Sequence, residues 1–238
     1  MIKIIKLFRG IKLILLNSIY FKSKLLGVKL VLFLIINSLT KYVYLKIKNK
    51  NINDTFFDYL KDFKFSRNYF KHNPPIWFEI FNKNFLLNKK VNVLEVGTFE
   101  GMSFLFFQKY LQLENIYCVD LVENENFKFN KEKFGNYKFF NTSSDIFFKK
   151  IINIKFDIIY VDGSHYGKDV YNDLKNSHQN LKENGILIID DFLLDLEFRR
   201  NKNYFDEVMA GVFMFLNEKF KYKILYTGHQ LILKKIKI

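Results

Sequence analysis

From residue 73 onward, short apolar runs with strand spacing alternate with longer stretches of helical spacing. Val91, Val93, Leu94 and Val96 read as a buried strand, and Met102-Ser103-Phe104-Leu105-Phe106-Phe107 as the start of an apolar helix reaching about Leu113. A second strand is expected at Asn115–Asp120, a weak third at Tyr137–Asn141, a strong fourth at Phe156–Asp162 and a fifth at Ile186–Ile189. Between them, helices are expected at Ile146–Ile152, behind the cap cluster Thr142-Ser143-Ser144-Asp145, and at Lys168–Leu181, closed by Asn184-Gly185. Residues 204–219 show a further helical pattern, and a terminal hairpin turns about Thr227-Gly228-His229. Upstream, Asn73-Pro74-Pro75 opens a helix over Ile76–Phe85 that carries Trp77. Strands alternating with helices predict an α/β domain around a parallel sheet.

Residues 1–50 form a separate extension. Ile4, Leu7, Phe8, Ile11, Ile14 and Leu15 fall on one helix face, with Lys3, Lys6, Arg9 and Lys12 on the other. A second apolar run, Leu30–Thr40, is too short for the roughly 20 residues that a spanning helix needs. Residues 51–72 mix charge and aromatics and connect the extension to the domain at 73–238.

Charge sharpens this division. Residues 1–50 hold eleven Lys and Arg and no acid; the remaining 188 carry 27 basic and 24 acidic side chains, a net of +3. The body is thus nearly neutral, which disfavours a nucleic-acid groove. The basic extension fits either an anchor on an anionic membrane surface or a helical layer packed on protein, and a homo-oligomer stays open. The lone Cys118 lies in an apolar run, as expected of a cytoplasmic, reduced chain.

Candidate chemistry gathers where the strands end. The first strand runs into Glu95-x-Gly97-x-x-x-Gly101 and then into a helix start with open N–H groups. A dinucleotide fingerprint would be G-x-G-x-x-G. An acid ahead of the first glycine suits an ammonium-bearing ligand without phosphate, which points to S-adenosylmethionine (SAM) with Glu95 or Glu100 near its positive end. An ordinary strand-to-helix turn is the alternative. Glu95, Gly97, Thr98, Gly101 and Ser103 are the candidate contacts here. Asp120 closes the second strand about 20 residues on, where a ribose-binding acid belongs. Asp145 is placed for an adenine amino group or for plain capping. The fourth strand ends in Asp162-Gly163-Ser164-His165, and the fifth in Asp190-Asp191, a carboxylate pair that is costly unless partnered or metal-bound. His72, His178 and His229 have no such neighbours in sequence.

With these residues in view, the chain resembles class I SAM-dependent methyltransferases. VLEVGTFEG is similar to their first motif and CVD to their acid-ended second strand. FDIIYVDGSHYGKDVYNDL followed by LKENGILIIDDF, with the terminal GHQLILKK, resembles the small O-methyltransferase branch that includes macrolide-sugar, rhamnosyl and cephalosporin-type enzymes. The resemblance covers about residues 73–238. It implies a Rossmann-like, doubly wound, seven-stranded and mostly parallel sheet of order 3-2-1-4-5-7-6, with strand 7 antiparallel. It also implies Mg²⁺ held by Asp162, Asp190 and Asp191, and His165 as general base beside Asp162. Relatives often have Glu where this chain has Asp190.

The function expected is Mg-assisted O-methylation of a small hydroxylated acceptor such as a sugar or glycan precursor, in the cytoplasm or peripherally on the membrane. RNA or protein methylation, and a non-catalytic SAM-binding protein tethered by its N-terminus, are the alternatives. A nicotinamide dehydrogenase is weaker still, because the third glycine is missing.

Overall fold

The computed structural model describes residues 2–41, 45, 47, 49–70, 72–151, 153–194, 207–218 and 220–237. Its elements run α1 (Ile2–Tyr20), α2 (Lys24–Ile36), α3 (Lys50–Tyr59), α4 (Pro74–Lys83), β1 (Lys90–Val96), α5 (Met102–Tyr110), β2 (Gln112–Asp120) and α6 (Glu125–Asn130). They continue with β3 (Lys138–Asn141), α7 (Ser144–Lys150), β4 (Phe156–Val161), α8 (Gly167–Asn180), β5 (Leu181–Ile189), α9 (Val208–Leu216), β6 (Tyr222–Thr227) and β7 (Leu231–Lys235). The seven strands form one sheet in the order β3-β2-β1-β4-β5-β7-β6. β7 runs antiparallel to both its neighbours, and the other pairings are parallel. This is the expected doubly wound sheet.

Strand alternation divides the core into two layers. Leu94, Val96, Ile159, Val161, Leu187 and Ile189 face one side, against α7, α8 and α9. Val91, Val93, Ile158, Tyr160, Ile186 and Ile188 face the other, against α3, α4 and α5. Trp77 on α4 is wholly buried there: it stacks on Phe107, meets Tyr160 edge-on at 4.9 Å, and donates its indole N–H to Gln230 Oε1 at 2.7 Å.

Several boundaries differ from the sequence expectation, for local reasons. β2 starts at Gln112, not Asn115, because its first residues pair with Lys90 and Val91 across a register shift at a polar sheet end. α8 stops at Asn180, and Asn184, at φ +64°, turns the chain inside the irregular start of β5 instead of closing the helix. α9 covers only Val208–Leu216, and part of the expected helix, with Phe205, lies outside the described residues.

The N-terminal extension packs on the body. Leu13, Ile14, Leu30 and Leu34 join the same core layer as α9. The buried face of α1 is Gly10, Leu13, Ile14, Asn17 and Ser18, while Phe8 and Leu15 point outward. This rotates the face expected from the sequence. α1 carries apolar residues on almost every side, so spacing alone does not say which side turns inward.

Candidate active site

The strand order reverses between β1 and β4, and a cleft of about 1030 Å³ opens outside the carboxyl ends there. Gly97, Thr98, Ser103, Asp120, Asp145, Asp162, His165, Asp190 and Asp191 all line it. Residues from four strand ends and two helix starts therefore meet in one cavity.

The glycine turn builds one wall. Gly97 has φ +87°, and a Cβ there would stand 2.0 Å from the Asp162 carbonyl oxygen, so only glycine fits against the β4 turn. Gly101, at φ +81°, caps α5 and packs against Phe127 rather than lining the cleft. Between them Phe99 holds a left-handed φ of +49°, and its N–H is taken by Asp120 Oδ2 at 2.8 Å. Asp120 Oδ1 accepts the Val122 N–H, so this acid orders the turn as well as facing the cleft.

The two glutamates placed near a positive ligand take other roles. Glu95 is wholly buried beneath the cleft and is not part of its lining; Ser103 Oγ donates to it. Burial pushes its carboxyl up to about 8, against the effect of the Ser103 hydrogen bond, so it is largely protonated at neutral pH. Glu100 touches the cleft but spends both oxygens on structure. Oε2 accepts the Ser66 N–H at 2.9 Å, and Oε1 accepts from Asn126 Nδ2 at 2.7 Å.

That first bond ties a segment upstream of β1 into the site. Asn130, fully buried, clamps the Lys64 backbone through both its amide atoms at 2.7 and 2.8 Å. The strap that follows brings Arg67, Tyr69 and Phe70 into the cleft wall. The Arg67 guanidinium lies 4.4 Å over the Tyr69 ring, which meets Phe99 edge-on. Sequence reasoning read this stretch as a connector; its mix of charge and aromatics has no period that would reveal a wall.

The opposite wall is acidic. The buried Tyr160 hydroxyl lies 2.8 Å from Asp162 Oδ2 and 2.6 Å from Asp190 Oδ2, bridging the ends of β4 and β5. Burial and then its acidic neighbours raise Asp162, and burial and the Asp191 charge raise Asp190. Asp191, at φ +52°, is hydrogen-bonded by His165 Nε2 at 2.8 Å and His229 Nε2 at 2.9 Å. Burial opposes its charge, yet the two imidazoles hold it below the usual carboxylate range. Among the described residues, two groups have ligand atoms close enough to share one ion: Asp162, His165 and Asp191, and Asp190, Asp191 and His229. Crowded, buried carboxylates at a strand end are the kind of donor set that a hard divalent cation relieves, so the residues present fit such an ion.

His229 is the residue that the sequence missed. The antiparallel pairing sets Leu231 opposite Ile189, which carries the loop before β7 over Asp190 and Asp191. A terminal Gly-His-Gln between two strands is the available signal, but only the strand order shows where it lands. On the far side of the cleft, Ser143 caps α7 by accepting the Ile146 N–H, and Asp145 stands exposed in the first turn of that helix. Leu194, three residues past Asp191, also lines the cleft, and residues 195–206 lie outside the described residues.

A methyltransferase-domain family matches residues 94–192, the stretch from the glycine turn to the Asp190-Asp191 pair. The chain has a methyltransferase fold. Among solved structures, this methyltransferase fold is similar to MycE, a methyltransferase from the mycinamycin biosynthetic pathway in complex with Mg, SAH and mycinamycin VI. The two share 14% identity at a TM-score of 0.56, over 79% of this chain and 54% of that one. It is also similar to a Staphylococcus aureus protein described as a caffeoyl-CoA O-methyltransferase (16% identity, TM-score 0.56, 83% and 99% covered). A Klebsiella pneumoniae protein described as an O-methyltransferase follows (13%, 0.55, 79% and 89%). The chain spans about half the length of MycE. No curated protein sequence matches it.

Proposed function

We propose that this methyltransferase transfers a methyl group from SAM to a hydroxyl of a small acceptor, with a divalent cation such as Mg²⁺ at the acidic wall. The observation that carries the reading is the joint opening of the glycine turn, Asp120, the three aspartates and His165 onto one cleft. The MycE complex, which holds Mg, SAH and a macrolide, supports the same pairing of donor and metal in this fold. A macrolide- or sugar-like acceptor is the substrate class that fits best.

Bound SAM supplies an electrophilic methyl on a sulfonium, and a bound cation supplies charge that acidifies and orients an alcohol. The chain's own residues do the rest. The Gly97 turn and Asp120 seat the donor at the β1 and β2 tips. Asp162, Asp190 and Asp191 would hold the cation. His165 takes the acceptor's proton as the oxygen attacks, and Asp191, 2.8 Å from its Nε2, orients the ring and stabilises the imidazolium that results. Holding oxygen and methyl in line supplies much of the acceleration.

Calorimetry with SAM and with NAD, each with and without Mg²⁺, tests the donor. Tight binding of SAM and none of NAD is expected. Asp162→Ala should lower turnover on a hydroxylated acceptor by at least about 100-fold, with SAM affinity kept within a few-fold. Loss of SAM binding in that variant would move Asp162 out of the metal site. SAM binding without transfer to any sugar or phenolic hydroxyl would leave a non-catalytic binding protein.

A further inference from the structure

The α1–α2 hairpin takes no part in this chemistry, yet it is firmly seated. A Cβ on Gly27 would stand 2.3 Å from the Ser18 Cβ, so the two helices cross with no slack. Asn37, just past α2, donates to the Thr227 carbonyl at 3.0 Å. The outer side of the hairpin is different. On α1, Phe8 is 66% and Ile19 62% exposed, with Ile5 and Leu15 also outward. On α2, Leu25 is 70% exposed, followed by Val28 and Leu32. Steps of three, four or seven line these side chains into two apolar stripes on neighbouring helices. Lys12, Lys22, Lys24 and Lys29 are exposed around them, and the first fifty residues contain no acid. A water-facing hairpin would mix both signs of charge and expose few large apolar groups.

We propose that the outer face of the α1–α2 hairpin docks on the surface of an anionic lipid bilayer. The apolar stripes enter the headgroup boundary, and the lysines meet lipid phosphates. The helices lie on the surface, for no helix among the described residues is long and apolar enough to cross a membrane. A second copy of the chain fits less well, because a two-fold contact would set this cationic face against itself.

The hairpin's position gives the docking a use. Gly10 packs close to Leu193, two residues beyond Asp191, and Asn37 is bonded to the end of the strand that leads to His229. The middle of α1 and the end of α2 therefore both lie toward the acidic end of the cleft. Docking brings that end near the lipid surface, where a hydroxyl on an amphiphilic or lipid-linked acceptor would be presented. This last step rests on the methyltransferase reading; the docking itself does not.

Vesicle flotation of the full chain tests it. The protein should float with phosphatidylglycerol–phosphatidylcholine vesicles at about 50 mM salt, leave them at about 500 mM, and ignore pure phosphatidylcholine. Changing Lys12, Lys22, Lys24 and Lys29 together to Gln should lower partition at least about tenfold. Phe8→Ser with Leu25→Ser should lower it too, with SAM affinity by calorimetry intact in both variants as evidence of folding. No flotation with anionic vesicles, or undiminished flotation of the four-lysine variant, would overturn the proposal. So would a dimer by light scattering that Phe8→Ser dissolves while vesicles go unbound. A wild-type chain that floats but fails to bind SAM would sink the enzymatic reading and leave the docking standing.

Discussion

His229 Nε2 lies 2.9 Å from Asp191 Oδ1, a contact made by strand pairing and not by sequence proximity. The Asp191 hydrogen bond raises His229 above the ordinary histidine range, with burial opposing. A raised imidazole contributes stability that is complete below its unfolded value of 6.5 and is lost as pH climbs through the folded one. The depressed Asp191 contributes above its usual 3.8 and loses this only in stronger acid. The pair is therefore at full strength between those two values. In metal-free buffer, the wild type's advantage in Tm over His229→Gln should shrink as pH rises from 6 to 8. The imidazole is 60% exposed, so solvent screening holds the effect to about 1–2 °C. A constant difference across that range would place the proton elsewhere.

Tyr160 joins Asp162 and Asp190 through one hydroxyl and holds both where an ion would meet them. Tyr160→Phe keeps the ring against Trp77 and removes only that bridge. Mn²⁺ affinity, read by its paramagnetic relaxation, should fall about tenfold or more, with SAM affinity within about twofold. Unchanged Mn²⁺ affinity would reduce the hydroxyl to a space-filler.

Glu95 holds its proton up to about pH 8, whereas the unfolded chain gives it up near 4.5. Between those values the native state binds the extra proton, so stability falls as pH rises, then levels off. Glu95→Gln removes this dependence and keeps an acceptor for Ser103. Relative to wild type, the variant should gain on the order of a few kcal/mol in denaturant unfolding on going from pH 5 to pH 8. Parallel curves for the two proteins would mean that Glu95 is ionised in the fold.

Glu100 links the strap to the glycine turn through Ser66 and to α6 through Asn126. Glu100→Ala leaves those donors without their acceptor, which costs about 1–3 kcal/mol locally. Proteolysis within residues 64–70 should speed up, and SAM affinity should fall about tenfold as Tyr69 and Phe70 loosen. Unaltered cleavage and affinity would detach the strap from the cofactor cleft.

What the sequence made legible was what chain order can carry. β1, with its apolar run and glycine turn, and the acids at the tips of β2, β4 and β5 each announce themselves within ten residues. The parallel sheet then gathers them. His229 was illegible because its meaning depends on β7 inserting beside β5, a pairing between distant segments. Arg67, Tyr69 and Phe70 were illegible because an irregular strap has no period to read. Glu95 was legible as an acid beside a glycine, but its depth under the turn follows from strand alternation. The inward side of α1 was legible only in part: Leu7, Ile11 and Ile14 do pack on the core, but Leu13 joins them while Phe8 and Leu15 turn outward.

The absent side chain of Gly97 is filled by the Asp162 carbonyl, so the β1 and β4 turns share a wall with nothing between them. A donor that shifts one turn must shift the other. Occupancy by the methyl donor and occupancy by the cation should therefore be reciprocal, each altering the other's dissociation constant by the same factor.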